Sequence, residues 1–314
     1  MLIALLIAAS LQAQKLPLPA PAPVIMDYLA AEGSQVWVPA GNTGKVFVLD
    51  APGRPFRTIE GFATKKGRND RLMGPSSVSV SASTAFIGNR GDSSVCAFDR
   101  RSLKKSSCAT VPGIPDGTFW VATTKEVWVT TPHDKSLQIL DAHAELKPAG
   151  QIQLDGAPEG YAVDESKGLV YTNLEDKDRT LVIDARTRKV TATFQPACGE
   201  AGPRGIAIDT QRALLFVACT DGVVVLDSKS GERRGRIETG KGVDNIDYLP
   251  SKRRLYVSAG QAAKLTIAEA AEDGSLREVS NAEVGKGSRV VVATEGGTAY
   301  AADSESGALW VVTP

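Results

Sequence analysis

This chain of 314 residues has no excess charge of either sign: 36 basic side chains face 36 acidic ones. No long-range field draws it to nucleic acid or to an anionic membrane. Histidine is reduced to two residues, His133 and His143. Cysteine is reduced to four, with no C-x-x-C pair and no histidine close by, which argues against a thiolate metal centre. No serine elbow, phosphate loop or haem-attachment motif is present. Beyond the first nine residues, no apolar run approaches the roughly 18 residues a spanning helix needs.

That first run, Met1 to Ala9 (MLIALLIAA), followed by Ser-Leu-Gln-Ala-Gln, has the form of a short secretory signal cleaved after Ala13. It lacks a preceding Lys or Arg, and an N-terminal strand is the competing reading. No cysteine lies near the cleavage region, so a lipid anchor is not expected. The expectation is a signal over 1–13 and a mature, exported domain over 15–314, periplasmic or secreted. Four cysteines suit that compartment. Cys96 and Cys108 flank the turn DRRSLKK, and Cys198 and Cys219 fall in a loop and at a strand end of neighbouring repeats. Pairing 96–108 and 198–219 is the most local of three connectivities; four unpaired thiols are the alternative.

What the sequence does have is a repeat. An aromatic sits in a hydrophobic run at Trp37, Phe86, Trp128, Tyr171, Phe216, Tyr256 and Tyr300, at intervals of 49, 42, 43, 45, 40 and 44 residues. A second apolar run follows each one and ends in an acid at Asp50, Asp99, Asp141, Asp184, Asp227 and Glu269; the seventh ends at Thr313. Short strands at a period of about 40–45 residues indicate a β-propeller. The expected fold is all-β: one domain of seven four-stranded antiparallel blades. The chain ends on the third strand of the seventh repeat, so the segment Lys15 to Pro23 is expected to supply the missing outer strand, an edge position where proline is tolerated. The aromatics are read as packing between blades. The acids are read as turn formers, above all in the Asp-x-x-Ser/Thr runs at Asp99, Asp184 and Asp227.

The fourth repeat, LVYTNLEDKDRTLVIDARTRKVTATF, resembles the YVTN repeat of exported bacterial propellers, the family that includes surface-layer and YncE-like proteins. Tyr171, Thr172 and Asn173 match the eponymous run, Leu181 to Asp184 the V-x-V-I-D run, and Thr187 with Lys189 to Thr193 the tail. The second repeat keeps Asn89, and the fifth keeps the run Ala201-Gly202-Pro203-Arg204-Gly205. The resemblance implies a seven-bladed fold and an exported location. It implies no catalytic residue.

Propeller ligands sit at the axial opening on the face of the d→a and b→c loops, where a, b, c and d are a blade's strands from the axis outwards. Aligning the starts of the strands a places Val24, Ser76, Asp116, Glu159, Arg204, Asp244 and Arg289 there, with Asn245 and Asp247 following in the sixth repeat. Convergent polar groups are what a binding site requires. Arg204 and Arg289 are expected to face an anion, opposed by Asp116, Glu159 and Asp244. The reading is a binding or interaction module, a monomer, taking a small polar ligand or a peptide or protein; nucleic acid is not favoured and no cofactor is required. The alternative is a lactone or ester hydrolase, with Ca²⁺ or Mg²⁺ held in the axial channel by Asp116, Glu159, Asp244 and Asn245, since oxygen ligands suit those ions. A lyase-type propeller needs paired catalytic groups including histidine, and His133 and His143 are expected on opposite faces. A long insertion, 61–74, carries Lys65, Lys66, Arg68 and Arg71 on the mouth face and could contact an anionic partner.

Overall fold

A computed structural model describes residues 8–67 and 70–314. Seven blades of four antiparallel strands follow one another around an axis, the sixth extended by a fifth strand at its outer edge. The fifth blade shows how one repeat is built. Its strands are Ile206–Asp209, Leu214–Cys219, Gly222–Asp227 and Arg233–Glu238, running from the axis outwards. The second and third strands, LLFVAC and GVVVLD, are apolar almost throughout because both faces of each blade are covered by neighbours. The outer strand, RRGRIE, faces solvent and is largely charged.

The repeated aromatics fill the seams. Trp37, Trp128, Tyr171, Phe216, Tyr256 and Tyr300 are fully buried, and Phe86 nearly so. Each such side chain contributes roughly 1.5–3 kcal/mol by leaving water. Two also tie the ring together: the Tyr171 hydroxyl donates to the Ser228 carbonyl at 3.1 Å, and that of Tyr256 to the Gly297 carbonyl at 3.1 Å.

On the face opposite the mouth, the acids act as expected in the three Asp-x-x-Ser/Thr turns. Asp99 accepts from the Ser102 amide and hydroxyl, both at 2.7 Å. Asp184 accepts from the Thr187 amide at 2.7 Å, and Asp227 from the Lys229 and Ser230 amides at 2.9 Å. Asp50 departs from this pattern. No serine or threonine follows at the right spacing, and it pairs with Arg57 at 2.7 Å instead.

Both expected disulfides form. Cys96 and Cys108 are direct cross-strand partners in blade two, with Cα atoms 4.1 Å apart. Cys198 reaches Cys219 with Cα atoms 5.1 Å apart, and no described cysteine is free.

The ring closes through the N-terminal segment, by a shorter strand starting earlier than Lys15 to Pro23. Ala13–Pro17 pairs antiparallel with Ala308–Val312 and completes blade seven. Beyond Pro17 the chain turns inward, where Leu18 and Val24 are buried. A second strand, Ala9–Leu11, pairs parallel with Ser280 to Ala282 at the outer edge of blade six. Of the expected signal's apolar run, Met1 to Ala9, residues 1–7 lie outside the described residues. No helix among the described residues is long and apolar enough to cross a membrane.

Candidate functional site

The mouth is assembled by the first residues of the inner strands and by the b→c loops. Strand a of blade one is short, Ala30–Glu32, and the two residues that reach the mouth before it are Asp27 and Tyr28. Tyr28 bridges to Ser77 of blade two and carries the chain along the axis. Val24 therefore does not reach the mouth: it is fully buried with Leu18, Met26 and Leu309. Asp27 takes its place. Ser76 sits at the start of its strand, but its side chain turns inward and donates to the Asp116 carbonyl at 3.0 Å. The charged group from blade two is Arg90, in the b→c loop after Asn89.

Three of the expected residues owe their approach to glycine. Asp116, Glu159 and Arg204 each precede one, at Gly117, Gly160 and Gly205. A side chain at Gly160 would meet the Arg204 carbonyl oxygen at 2.5 Å, and one at Gly205 would meet Asn245 Oδ1 at 2.6 Å. The inner strands pack so closely here that only the missing Cβ lets successive blades touch. The Gly205 amide then donates to the Asp244 carbonyl at 2.7 Å, fixing blade five to blade six.

The charges do not stand free. Arg90 donates one Nη2 to Asp27 Oδ2 at 2.8 Å and also contacts Asp116 Oδ1. Arg289 pairs with Asp244 at 2.8 Å and lies 4.0 Å from Asp27. Arg204 pairs with Glu175, from the b→c loop of blade four. Glu159 accepts from the Tyr28 hydroxyl at 2.8 Å. Tyr28 stacks on Tyr161 with ring centroids 5.5 Å apart, and Tyr161 stacks in turn on Phe119 at 4.3 Å. Five carboxylates and three guanidiniums thus come from all seven blades into one network. Arg204 and Arg289 meet carboxylates of the protein itself. Asp116 and Asp244 oppose Arg90 and Arg289, while Glu159 opposes no arginine.

Crowding of acids shifts their ionisation. Burial, and then the neighbouring Asp116, Asp244 and Asp27, push Glu159 well above the usual carboxylate range. Burial pushes Asp116 up to about 6 despite Arg90 beside it, and raises Asp244 despite Arg289. Burial works against the Arg90 guanidinium, but Asp27 and Asp116 outweigh it and hold it charged.

Below this network lies a cavity of about 300 Å³, walled by Val78, Ile206, Val291 and Val292 and reached by Asn245 and Asp247. Asn245 and Asp247 therefore line the channel, as the sequence suggested. Asp247 accepts from the amides of Tyr248 at 2.8 Å and Ala293 at 2.7 Å, so it staples blade six to blade seven; burial pushes it up to about 6. The channel does not fit the divalent ion considered above. Among the described residues, no three His, Cys, Asp or Glu side chains gather closely enough to hold a metal. Asp116 and Asp244 are turned to arginines and Glu159 to a tyrosine.

Neither histidine is part of the network. His143 contacts Asp141 at 2.6 Å in a turn on the far face. His133 lies in the b→c turn of blade three, Pro132–Asp134, facing the basic insertion. That insertion is a small hairpin in which Lys65–Lys66 pairs with Leu72–Met73; Arg68 lies outside the described residues.

No protein-family model matches the chain, and no curated protein matches it in sequence. Solved structures do match in shape. They include virginiamycin B lyase from Staphylococcus aureus, at 10% identity and a TM-score of 0.76 over 97% of this chain and 100% of that one. They also include the WD40 propeller domain of Doa1, at 13% identity and 0.73 over 96% of each. A chain of the mitotic checkpoint complex matches at 14% identity and 0.79, over 100% of this chain and 94% of that one. At such identities the likeness is one of fold.

Proposed function

We propose that this propeller is an exported binding module of the YVTN-repeat, YncE-like kind, and that it takes a charged polar ligand or a peptide segment at its axial mouth. The observation that carries this reading is the convergence of charged groups from every blade on one opening. A purely structural opening has no need of eight ionisable side chains, several with strained ionisation, and perturbed titration in a concave site marks candidate function. Export is supported by the leader-like N-terminus and the two disulfides.

The partner enters by exchange. Each arginine already has a carboxylate, so a ligand that brings both charges, such as a peptide segment, can replace the internal pairs without leaving a buried charge unpaired. Arg289 is the most exposed of the three guanidiniums, at 47%, and is the first a ligand would meet. The hydrolase alternative gains nothing from the geometry, because the carboxylates it needs are engaged with arginine or tyrosine.

The test is a titration by calorimetry against the tightest binder found in a library of short charged peptides. Arg289→Glu is expected to weaken that binder by a hundredfold or more, while Arg101→Glu, on the opposite face, leaves it unchanged. Equal loss in both variants, or in neither, would remove the mouth from consideration.

A further inference from the structure

Beside the mouth, the basic hairpin and the mouth-face loops of blade three line a groove of about 620 Å³. Its lining is Lys65, Lys66, Gly67, Arg71, Met73, Ile114 and His133. The pairing register sets its character. Lys65 stands directly opposite Met73, so a cation and an apolar side chain share one face of the hairpin. Ile114, half-buried in the chain leading to strand a of blade three, extends the apolar floor. Lys66 reaches Asp70 at 3.3 Å. Lys65 and Arg71 have no carboxylate within ion-pairing distance among the described residues. Asp134, next to His133, is not part of the lining. This is the reverse of the mouth, where each arginine is paired.

We propose that this groove binds an amphiphilic anion: a carboxylate or sulfonate head held by Lys65 and Arg71, on an aliphatic or aromatic body laid over Met73 and Ile114. The chemistry follows from the two halves of the lining. Met73 supplies an unbranched, adaptable surface that accommodates varied apolar shapes. The lysine and arginine supply charge-assisted hydrogen bonds that an uncharged or cationic analogue cannot make. Arg71 and Met73 also line a cleft of about 110 Å³ that leads towards Asp27 and Arg90, so the hairpin is the wall between the groove and the mouth. The inference does not depend on the mouth binding anything.

The experiment uses the full chain and two probes, 8-anilinonaphthalene-1-sulfonate by fluorescence and octanoate by calorimetry. The native protein is expected to bind both, octanoate is expected to displace the dye, and octylammonium and octan-1-ol are not. Lys65→Ala combined with Arg71→Ala is expected to weaken octanoate at least tenfold with an unchanged melting curve, since both side chains are exposed. Met73→Ser is expected to weaken the dye and octanoate together. Displacement by octylammonium as effective as by octanoate, or equal octanoate affinity in the double variant, would overturn the proposal. Failure of Arg289→Glu to affect peptide binding would leave it standing.

Discussion

The two faces of this propeller use the same acidic residues in opposite ways. On the turn face, an aspartate bonds amides two or three residues away, as at Asp99, Asp184 and Asp227. On the mouth face, partners lie far apart in sequence: Asp27 meets Arg90 and Arg289, and Tyr28 meets Glu159. The turn acids are satisfied within one hairpin. The mouth acids are crowded and are satisfied only by side chains of other blades. The contrast separates charges that build a blade from charges that the assembled blades hold in common.

Breaking closure should have the largest effect. Deleting Ala13–Pro17 leaves blade seven without its outer strand and frees the contact between blades seven and one. The melting temperature is expected to fall by many degrees and the mouth network to be lost, while the local turns survive. An unchanged melting curve would show that the ring closes by other means. Next is Arg90→Ala. It leaves Asp27 and Asp116 facing each other with no cation between them, and stranding a buried partner typically costs about 3–5 kcal/mol. Arg101→Ala, in a turn on the other face, is expected to stay within about 0.5 kcal/mol by urea denaturation. Removing the mouth-face disulfide by Cys219→Ser should cost about 3 kcal/mol on chain-entropy grounds; intact stability would mean that the loop is held by packing alone.

The smallest effect distinguishes the faces by sign. Three mouth carboxyls are raised, Asp116 to about 6 and Glu159 and Asp244 in the same direction, so the native protein keeps protons that the unfolded chain loses at about pH 4. Their contribution to stability therefore falls as pH rises from about 4 through about 6. The turn acids are lowered: the Ser102 amide holds Asp99 down and the Thr187 amide holds Asp184 down. Their contribution is present at neutral pH and lost as pH falls below about 4. Glu159→Gln keeps an acceptor for Tyr28 and removes the charge. It is expected to melt higher than the native protein at pH 8, with the difference closing by pH 5. A pH-independent difference would place Glu159 outside the acid cluster.

The same contrast explains what was legible in the sequence. Period, strand order, both disulfides and the Asp-x-x-Ser/Thr turns are local or strictly repeated, and each was readable from spacing. The mouth positions of blades three to seven were readable too, because each lies within two residues of the start of its inner strand. Blade one broke that alignment: its inner strand has three residues and follows the proline-rich segment, so Val24 was set where Asp27 belongs. Arg90 and Glu175 were missed because the alignment followed the starts of the strands a, whereas both stand in b→c loops and pair with residues of neighbouring blades. Aligning the residue after each strand b would have found both. The sequence also places charge without pairing it. Nothing in the spacing shows that Arg204 turns to Glu175, whereas Lys65 and Arg71 on the hairpin have no ion-pair partner among the described residues.

The central claim is that the mouth, and not the turn face, receives the ligand. It is tested most directly by titrating the tightest peptide binder against Arg204→Ala and Arg101→Ala under one set of conditions. Loss of a charge-assisted hydrogen bond costs about 1.5–3 kcal/mol, roughly a tenfold to hundredfold fall in affinity. That fall is expected for Arg204→Ala in a protein that stays folded by circular dichroism at the titration temperature, and no change is expected for Arg101→Ala. Equal affinities for the two variants would contradict the account.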